Sequence, residues 1–176
     1  MGGLTKEVGE PSYRVFDDAA GNAGLDKAGY TLQISATEEL TKGAAGAAVY
    51  GVAYMNTKNP LYMGDTTLFT EYLVDPELAV IHEGTVDVQV EGNAVRSTAI
   101  HVGDIVAQGP TTAGKIAHIE DNTAQGTASG TFNHANHMAM MSEVVGISEE
   151  QLAATADPAD GSGCISVRLM IFGDET

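Results

Sequence analysis

Short runs in which apolar and polar residues alternate are the feature that most constrains the fold of this chain. The longest run is CISVRLMIF at residues 164–172, and TVDVQVEG at residues 85–92 has the same period. A period of two is that of a β-strand with one buried face. The predicted inward residues are Val86, Val88, Val90, Ile165, Val167, Leu169 and Ile171, and the predicted outward residues include Asp87, Gln89 and Glu91.

Further short strands are predicted in YTLQISA (residues 30–36, with Leu32 and Ile34 on one face), DIVAQG (104–109) and KIAHIED (115–121). Glycine, asparagine and aspartate separate the runs, which favours antiparallel pairing. The predicted class is therefore all-β, with short antiparallel strands in a barrel or sandwich.

Helical signals are weak, and one or two short helices are expected. Ser148 is a plausible N-cap, with Glu149 and Glu150 in the first turn, where the helix dipole favours acidic residues. A second single turn is predicted after Asp75-Pro76.

The chain is expected to divide unevenly. Residues 1–29 have glycine-rich breaks and few strand formers, and they are predicted to be an extended N-terminal arm. Residues 30–176 form the β domain, with a possible split into two small subdomains near 75–80. The small polar stretch 121–136 is long enough to be a functional or mobile loop.

Acidic residues dominate the charge: 24 Asp and Glu oppose 8 Lys and Arg, and the net charge is −16. Such a coat repels itself, and molar salt relieves the repulsion by shortening the Debye length to about 3 Å. A high-salt environment is therefore predicted. Nucleic acid is an unfavourable partner because phosphate binding needs a basic patch. A membrane is not expected either, since no apolar run is long enough to span one.

Candidates for chemistry are few. His134 and His137 form an HxxH pair and are weak metal-ligand candidates, but the surrounding Asn and Gly residues favour a surface loop. Cys164 is the single cysteine, which excludes an intrachain disulfide. No catalytic residue, metal or cofactor is predicted.

One stretch has the strand pattern of a cupin. His82-Glu83 precedes the strand at residues 85–92, and His101 precedes Gly103-Asp104. Cupins carry a His-x-His and a Glu here, whereas this chain has one His before the Glu, and His118 is out of step with the second motif. A cupin-like metal-dependent enzyme is an alternative function, and a glycan-binding β-sandwich with exposed Tyr and Asn is another.

Tyrosine and methionine residues are the candidates for a subunit or partner interface, because both types are enriched at such contacts. For each of them, packing in the core is the other interpretation. The candidates are Tyr50, Tyr54, Tyr62, Met138, Met140 and Met141.

The order VDVQVEG, HVGDIVAQ, AGKIAHIE, SEVVGISEE and GSGCISVRLM resembles the small β-barrel decoration (cement) proteins of the capsids of tailed viruses. The resemblance covers roughly residues 80–173, with a looser echo in GAAVYGVAYMN. The long loop at 121–136 and the extra N-terminal half depart from the pattern.

This resemblance implies a structural role in the virion. Such proteins bind the outer surface of an icosahedral capsid, often as trimers, and stabilise the contacts between major capsid subunits. The major capsid protein would be the partner, and the N-terminal arm would contribute to the shell contact. Together with the acidic coat, the resemblance implies a virus of a halophilic archaeon.

Overall fold

Two antiparallel sheets of five short strands make up the described part of the chain. The computed structural model describes residues 8–17, 24–58, 72–121, 141–158 and 161–172. Helix within these ranges is limited to a 3-10 turn at Ile119–Asp121 and to residues 141–143. The predicted all-β antiparallel class is therefore confirmed. The strands are β1 Ser12–Val15, β2 Thr31–Ile34, β3 Leu40–Lys42, β4 Gly51–Ala53, β5 Glu77–Ile81, β6 Thr85–Gln89, β7 Ile105–Gln108, β8 Ile116–His118, β9 Val144–Ser148 and β10 Cys164–Leu169.

The two sheets repeat one topology. Sheet A has the order β1-β5-β4-β2-β3, and sheet B has the order β6-β10-β9-β7-β8. Counted from the first strand of each sheet, both orders are first, fifth, fourth, second, third. The registers match as well: Gly51 lies opposite Leu32, and Gly146 lies opposite Val106. The N-terminal half (β1–β5) and the C-terminal half (β6–β10) are therefore two copies of one β-fold.

Glycine is required at the same place in both copies, where the fourth strand pairs with the fifth. A Cβ on Gly51 would lie 2.3 Å from Cγ1 of Val80. A Cβ on Gly146 would lie 2.2 Å from the carbonyl oxygen of Arg168 and 2.8 Å from Cγ1 of Val167. Real Cβ atoms essentially never approach so closely. The repeat thus includes the strand order and also a glycine at the equivalent position of the fourth strand, where the neighbouring strand leaves no room for a Cβ.

Each sheet curls until its two edge strands touch at one point. In sheet A, a single parallel bridge joins Phe16 to Leu40, and in sheet B one joins Val90 to Ile116. These are single bridges rather than continuous ladders, so the sheets are not closed. The pair of sheets is consistent with a sandwich.

Two apolar clusters fill the interior, and residues of the N-terminal half enter both. Val49, Val52 and Ile81 pack with the core of the C-terminal half, which joins the halves through buried apolar contact. The N-terminal cluster comprises Phe16, Leu25, Tyr30, Leu32, Leu40, Ala53, Leu78 and Val80. The C-terminal cluster adds Val86, Val88, Val90, Ile100, Val106, Ile116, Val145, Leu152, Ile165, Val167 and Leu169.

Backbone hydrogen bonds also join the halves. The amide of Thr31 donates to the carbonyl of Gly114 at 2.8 Å, and the amide of Gly114 donates to the carbonyl of Gly43 at 2.6 Å. Beside them, the buried hydroxyl of Thr31 donates to Oε1 of Gln108 at 2.6 Å. A Cβ on Gly43 would lie 1.9 Å from Nε2 of Gln108, so the close approach depends on glycine.

Part of the segment predicted as an arm lies in sheet A. Within residues 1–29, β1 pairs with β5, and Phe16 and Leu25 are fully buried. The chain passes from sheet A to sheet B at residues 82–84. Most of the predicted loop 121–136 lies outside the described residues. Within the described ranges, no helix is long and apolar enough to cross a membrane.

Both predicted helical segments are wrong. Ser148 ends β9, and its hydroxyl accepts the amide of Glu150 in a tight turn. No helix follows because Leu152 pairs with Ile100, which draws the chain into an extended bridge. The residues after Asp75-Pro76 form β5, which lies between β1 and β4. In both places pairing with neighbouring strands outweighs a local helix signal.

Several predicted strand faces need correction. The inward positions of β6 and β10 are confirmed, and Asp87 is exposed as predicted. Gln89 and Glu91, however, are buried rather than outward. Gln89 is covered by the other half, since its side-chain amide donates to the carbonyl of Ala28 at 3.1 Å. Ile34 is 38% exposed because it lies at the end of β2, beyond the core.

Candidate functional site

A row of two exposed tyrosines lies on the outer face of sheet A. Tyr13 of β1 pairs with Ala79 of β5, and the amide of Tyr54 donates to the carbonyl of Ala79 at 2.9 Å from the other side. Residues directly opposite each other in a sheet project to the same face. Tyr13 and Tyr54 are 63% and 60% exposed, respectively, whereas Ala79 is buried. Two strand spacings of about 4.8 Å place the tyrosines about 10 Å apart, with a small residue between them.

Alternation along β1 produces this row. Ser12 and Arg14 turn toward the interior of the N-terminal half, so Tyr13 and Val15 turn outward. Val15 is itself 37% exposed. We define Tyr13, Ala79 and Tyr54 as the tyrosine row.

The C-terminal half has the same row with different chemistry. Ser166 of β10 pairs with Asp87 of β6 in the register that joins Ala79 to Tyr13. The amide of Glu149 donates to the carbonyl of Ser166 at 2.9 Å, as the amide of Tyr54 does to Ala79. The equivalent row is therefore Asp87, Ser166 and Glu149.

The fold does not determine which residue types occupy these two rows. The same backbone positions accept carboxylates in one half and tyrosines in the other, so folding alone does not require aromatic residues there. Neighbouring exposed aromatic side chains are typical of binding surfaces. The tyrosine row is accordingly the strongest candidate interaction surface among the described residues.

A cleft of about 470 Å³ opens beside Tyr54, where the two halves meet. Clefts between packed units are frequent ligand sites, and this volume is within the range of about 300–1,000 Å³ that such sites occupy. One wall comes from sheet A and the segment before β2, and the other comes from β6. The lining residues are Val8, Ala28, Gly29, Val52, Ala53, Tyr54, Ile81, Thr85, Val86 and Asp87.

A polar cluster occupies one end of the interior of the N-terminal half. His82 Nδ1 lies 2.8 Å from the carbonyl oxygen of Tyr50, and Nε2 lies 2.6 Å from Oγ of Ser12. Since a carbonyl can only accept, the proton is on Nδ1, and the Ser12 hydroxyl donates to Nε2. The Tyr50 and His82 rings meet edge to face at 4.8 Å, and the Arg14 guanidinium lies 5.3 Å from the Tyr50 ring centre.

The equivalent positions in the C-terminal half are apolar. Val86 and Val88 replace Ser12 and Arg14, and Val145 and Leu169 replace Tyr50 and His82; all four are buried in the core. A hydroxyl that donates to an oriented imidazole is the arrangement of an activated nucleophile. Ser12 and His82 do not line the cleft, however, and their hydrogen bonds also satisfy a half-buried polar group. We therefore treat the cluster as the polar end of the N-terminal core.

Tyr30 and Lys42 have shifted pKa values, and both positions have equivalents in the C-terminal half. Tyr30 donates to Asp26 at 2.6 Å, and the Lys42 ammonium lies 5.1 Å from the Tyr30 ring centre. Burial and the bond to Asp26 raise the pKa of Tyr30, and burial lowers the pKa of Lys42. The pKa of Asp26 lies below its usual value because the bond from Tyr30 and nearby cations outweigh partial burial.

Asp104 and His118 occupy the positions of Tyr30 and Lys42 in the C-terminal half. Asp104 Oδ2 accepts the backbone amide of His101 at 2.7 Å and lies 3.1 Å from His101 Nδ1 and 3.5 Å from His118 Nε2. The backbone bond and the two imidazoles hold the pKa of Asp104 below its usual value. In the described ranges, no group of three or more His, Cys, Asp or Glu side chains is arranged to hold a metal.

A buried carboxylate, Glu91, ties down the loop between β7 and β8. Its Oε1 accepts the amides of Thr111 and Thr112 at 3.0 and 2.5 Å. Its Oε2 is buried without a hydrogen-bond partner among the described residues. Sequence alternation placed Glu91 outside because nothing in the local pattern indicates that a distant loop covers the strand end.

The residues predicted for the interface lie in different environments. Tyr54 belongs to the tyrosine row, whereas Tyr50 is half-buried against the N-terminal core. Met141 is half-buried in the short helical segment. The predicted interface role of these residues stays a prediction. Tyr62, Met138, Met140 and the metal candidates His134 and His137 lie outside the described residues.

Tyr13 was missed because it falls in the segment predicted as an arm, although the alternation in SYRV was a usable signal. His82 and His101, the histidines of the cupin-like pattern, belong to separate hydrogen-bonded groups.

No model of a known protein family matches the chain, and no curated protein matches it significantly.

Proposed function

We propose that this chain is a structural virion protein that binds the outer surface of an icosahedral capsid and stabilises the contacts between major capsid subunits. The tyrosine row is the observation that carries the proposal. It gives the N-terminal half an exposed aromatic surface at positions where the C-terminal half has carboxylates. In the bound state, the tyrosine row faces the shell.

The charge of the chain suits an external position in brine. A surface with a net charge of −16 stays hydrated and soluble when concentrated salt screens its repulsion. Contacts between aromatic and apolar groups keep their strength in such a medium, whereas ion pairs are screened. An aromatic contact surface on an acidic protein is therefore the arrangement we expect in a virus of a halophilic host.

Homotrimers are the assembly that we propose, because closed cyclic symmetry fits local threefold positions of a shell. Light scattering in molar salt should then give about 55 kDa, three times the chain mass of 18.2 kDa. A monomer or a dimer under these conditions would contradict the trimer.

Capsid binding tests the central claim. Capsids of a tailed virus of a halophilic archaeon are mixed with the purified protein in molar salt and sedimented. We expect wild-type chain in the pellet and at least about tenfold weaker binding by the Tyr13→Ser/Tyr54→Ser variant, as for the loss of central aromatic anchors. Glu149→Ser, at the position equivalent to Tyr54, is the matched control and should bind normally. Absence of wild-type binding, or equal binding by all variants, would contradict the proposal.

Glycan binding is a second candidate function, and the same tyrosine row favours it, since exposed tyrosine rings can stack on sugars. A glycan array probed in molar salt separates the two functions. Binding to a defined glycan that the Tyr13→Ser/Tyr54→Ser variant loses, without capsid binding, would favour the glycan-binding function.

A further inference from the structure

The contact between the two halves joins two different faces of the repeated fold. The carbonyl of Gly29 accepts the amide of Gln89 at 2.8 Å, and the hydroxyl of Thr31 donates to Oε1 of Gln108 at 2.6 Å. Apolar residues beside Thr31 pack with the C-terminal core. We define the front face of the N-terminal half as Gly29, Thr31, Val52 and Ile81, and the back face of the C-terminal half as Gln89 and Gln108; all six residues are buried.

Each half also contains the face that the other half uses in this contact. The strand registers give the equivalent of every residue except Gly29. Gly103 is the equivalent of Gly29, because both have a positive φ, 95° and 88°, and both amides donate to the carbonyl of the last residue of the fourth strand. The front face of the C-terminal half is therefore Gly103, Ile105, Ile147 and Arg168, and the back face of the N-terminal half is Val15 and Ile34, each in the order given above.

These two faces lie outside the contact between the halves, and they are exposed. Ile105, Val15 and Ile34 are 44%, 37% and 38% exposed, respectively. A Cβ on Gly103 would meet nothing within 4 Å, whereas one on Gly29 would lie 2.6 Å from a carbonyl oxygen of the other half. The molecule therefore presents one front face and one back face that its own two halves do not use.

The residues on the two exposed faces differ from their buried equivalents in a matched way. Thr31 and Gln108 form a buried hydrogen bond across the contact between the halves. Both equivalent positions on the exposed faces hold isoleucine, Ile105 and Ile34. Two apolar residues can replace a polar pair, whereas a single apolar replacement would leave the remaining polar group unsatisfied. The matched replacement is what we expect of two faces that meet each other.

The backbone of β1 can repeat the other hydrogen bond of the contact. β1 is an edge strand of sheet A, and the amide of Phe16 donates to the residue before β5. Successive amides of a strand point to opposite sides, so the amide of Val15 points away from β5, as that of Gln89 points away from β10. Gly103 would supply the accepting carbonyl, as Gly29 does for Gln89.

We propose that the front face of the C-terminal half binds the back face of the N-terminal half of a second copy of this chain. The contact repeats the one between the halves. Ile105 packs against Ile34 of the next copy, and the carbonyl of Gly103 accepts the amide of Val15.

A contact between two different faces is heterologous, so it produces a closed ring or an open filament. The ring of three copies rests on the trimer proposed above, whereas the contact itself does not depend on capsid binding. Tyr13 stays outside the contact, since its equivalent, Asp87, is exposed beside the contact between the halves. The tyrosine row therefore remains available for the shell.

Paired variants test this contact. Ile34→Asp changes the back face and Ile105→Asp changes the front face, and each places a carboxylate in an apolar contact. Each variant alone should be a monomer of 18.2 kDa by light scattering in molar salt. Their equimolar mixture should form a heterodimer of about 36 kDa, twice the chain mass of 18.2 kDa, because one variant keeps its front face and the other its back face. Val74→Asp is the matched control: it adds the same charge at an exposed valine outside both faces and should keep the wild-type mass.

Amide hydrogen exchange is a second measurement, and it needs no substitution. The amide of Val15 should exchange at least about tenfold more slowly in the concentrated wild-type assembly than in the diluted, dissociated chain, because the next copy protects it. The amide of Gln89 is the control, since its bond lies within the chain and should give the same rate in both states.

Four results would overturn the proposal: a monomeric wild-type chain, a folded variant at either isoleucine that keeps the wild-type mass, a mixture that contains only monomers, or equal exchange of Val15 in both states. Open filaments of the wild-type chain would overturn the ring of three alone. Assembly through these faces without capsid sedimentation would overturn the capsid function alone. Capsid binding by a monomeric wild-type chain would overturn the contact between copies alone.

Discussion

The two halves of this molecule share a fold but differ in what they do with it. The interior of the C-terminal half is apolar where that of the N-terminal half has Ser12, Arg14, Tyr50 and His82. On the outside the contrast is reversed, because the N-terminal row is aromatic and the C-terminal row is acidic. The C-terminal half thus shows which residues the fold needs, and the departures in the N-terminal half mark the surface to which we assign binding.

Lowering the salt concentration should have the largest effect on stability, because both halves carry an excess of acidic residues. Residues 81–176 carry 13 acidic and 3 basic residues, and residues 1–80 carry 11 and 5. As NaCl falls below about 1 M, screening weakens and repulsion should unfold the chain, with the C-terminal half opening first. Circular dichroism and amide hydrogen exchange measure this. Unchanged spectra and native mass in dilute buffer would contradict it, and equal exchange in both halves would contradict the order.

The paired glycines predict the next largest effect. Gly146→Ala should lower the free energy of unfolding by about 3 kcal/mol or more, because its Cβ meets a backbone oxygen that cannot move freely. Gly51→Ala should cost less, about 1–3 kcal/mol, because its closest neighbour is a side-chain methyl of Val80. Gly92→Ala is the control, since a Cβ there meets nothing within 4 Å. Denaturant titration in molar salt gives the three values. An unchanged free energy of unfolding for Gly146→Ala would contradict the requirement for glycine at this position.

Asp104 in the C-terminal half should limit stability at low pH, and Tyr30 in the N-terminal half should limit it at high pH. A lowered pKa means that Asp104 stabilises the fold above its unfolded value of about 3.9, and this contribution is lost as pH falls through the folded pKa. A raised pKa means that Tyr30 contributes fully below about pH 10, and this contribution is lost as pH rises further.

Asp104→Asn should therefore flatten the acid decline in stability, and Tyr30→Phe should flatten the alkaline decline. Thermal unfolding from pH 3 to 11 measures both limbs. Each variant is the control for the other, since it should leave the opposite limb unchanged. A variant that leaves its own limb unchanged would show that other groups set that limit.

The smallest predicted effect concerns one turn. Glu38 has a φ of 64° at the position where the C-terminal half has Gly114, with a φ of 82°. Glu38→Gly should raise stability by about 0.5 kcal/mol because glycine adopts this conformation without steric cost. Arg14 keeps its bond, which goes to the backbone carbonyl of residue 38. Glu39→Gly is the control and should lower stability, and equal effects of both changes would contradict the explanation.

Local alternation predicted much of the fold but could not reveal the repeat. Val86, Val88 and Val90 show their inward face directly because each needs only its own strand to be recognised. The repeat is hidden because the equivalent strands share few residues beyond the glycine of the fourth strand and the valine of the fifth. The equivalent hairpins also differ in length, with five residues between β2 and β3 and seven between β7 and β8.

Long-range contacts decide the features that the sequence pattern missed. Glu91 is buried by a loop twenty residues further along the chain, and Gln89 by a segment of the other half. Ser148 is kept out of a helix by a bridge between Leu152 and Ile100. The tyrosine row joins residues that are far apart in sequence, so alternation could indicate that Tyr13 is outward but not that Tyr54 lies beside it.

The short connection at residues 82–84 has a consequence for symmetry. Two identical chains that associate as a symmetric dimer must display every surface twice, so neither copy can specialise. Joining two copies of one fold in a single polypeptide removes that obligation: one copy can change its outer row to aromatic residues while the other stays acidic. A repeated fold can then carry one aromatic surface without displaying the same surface a second time.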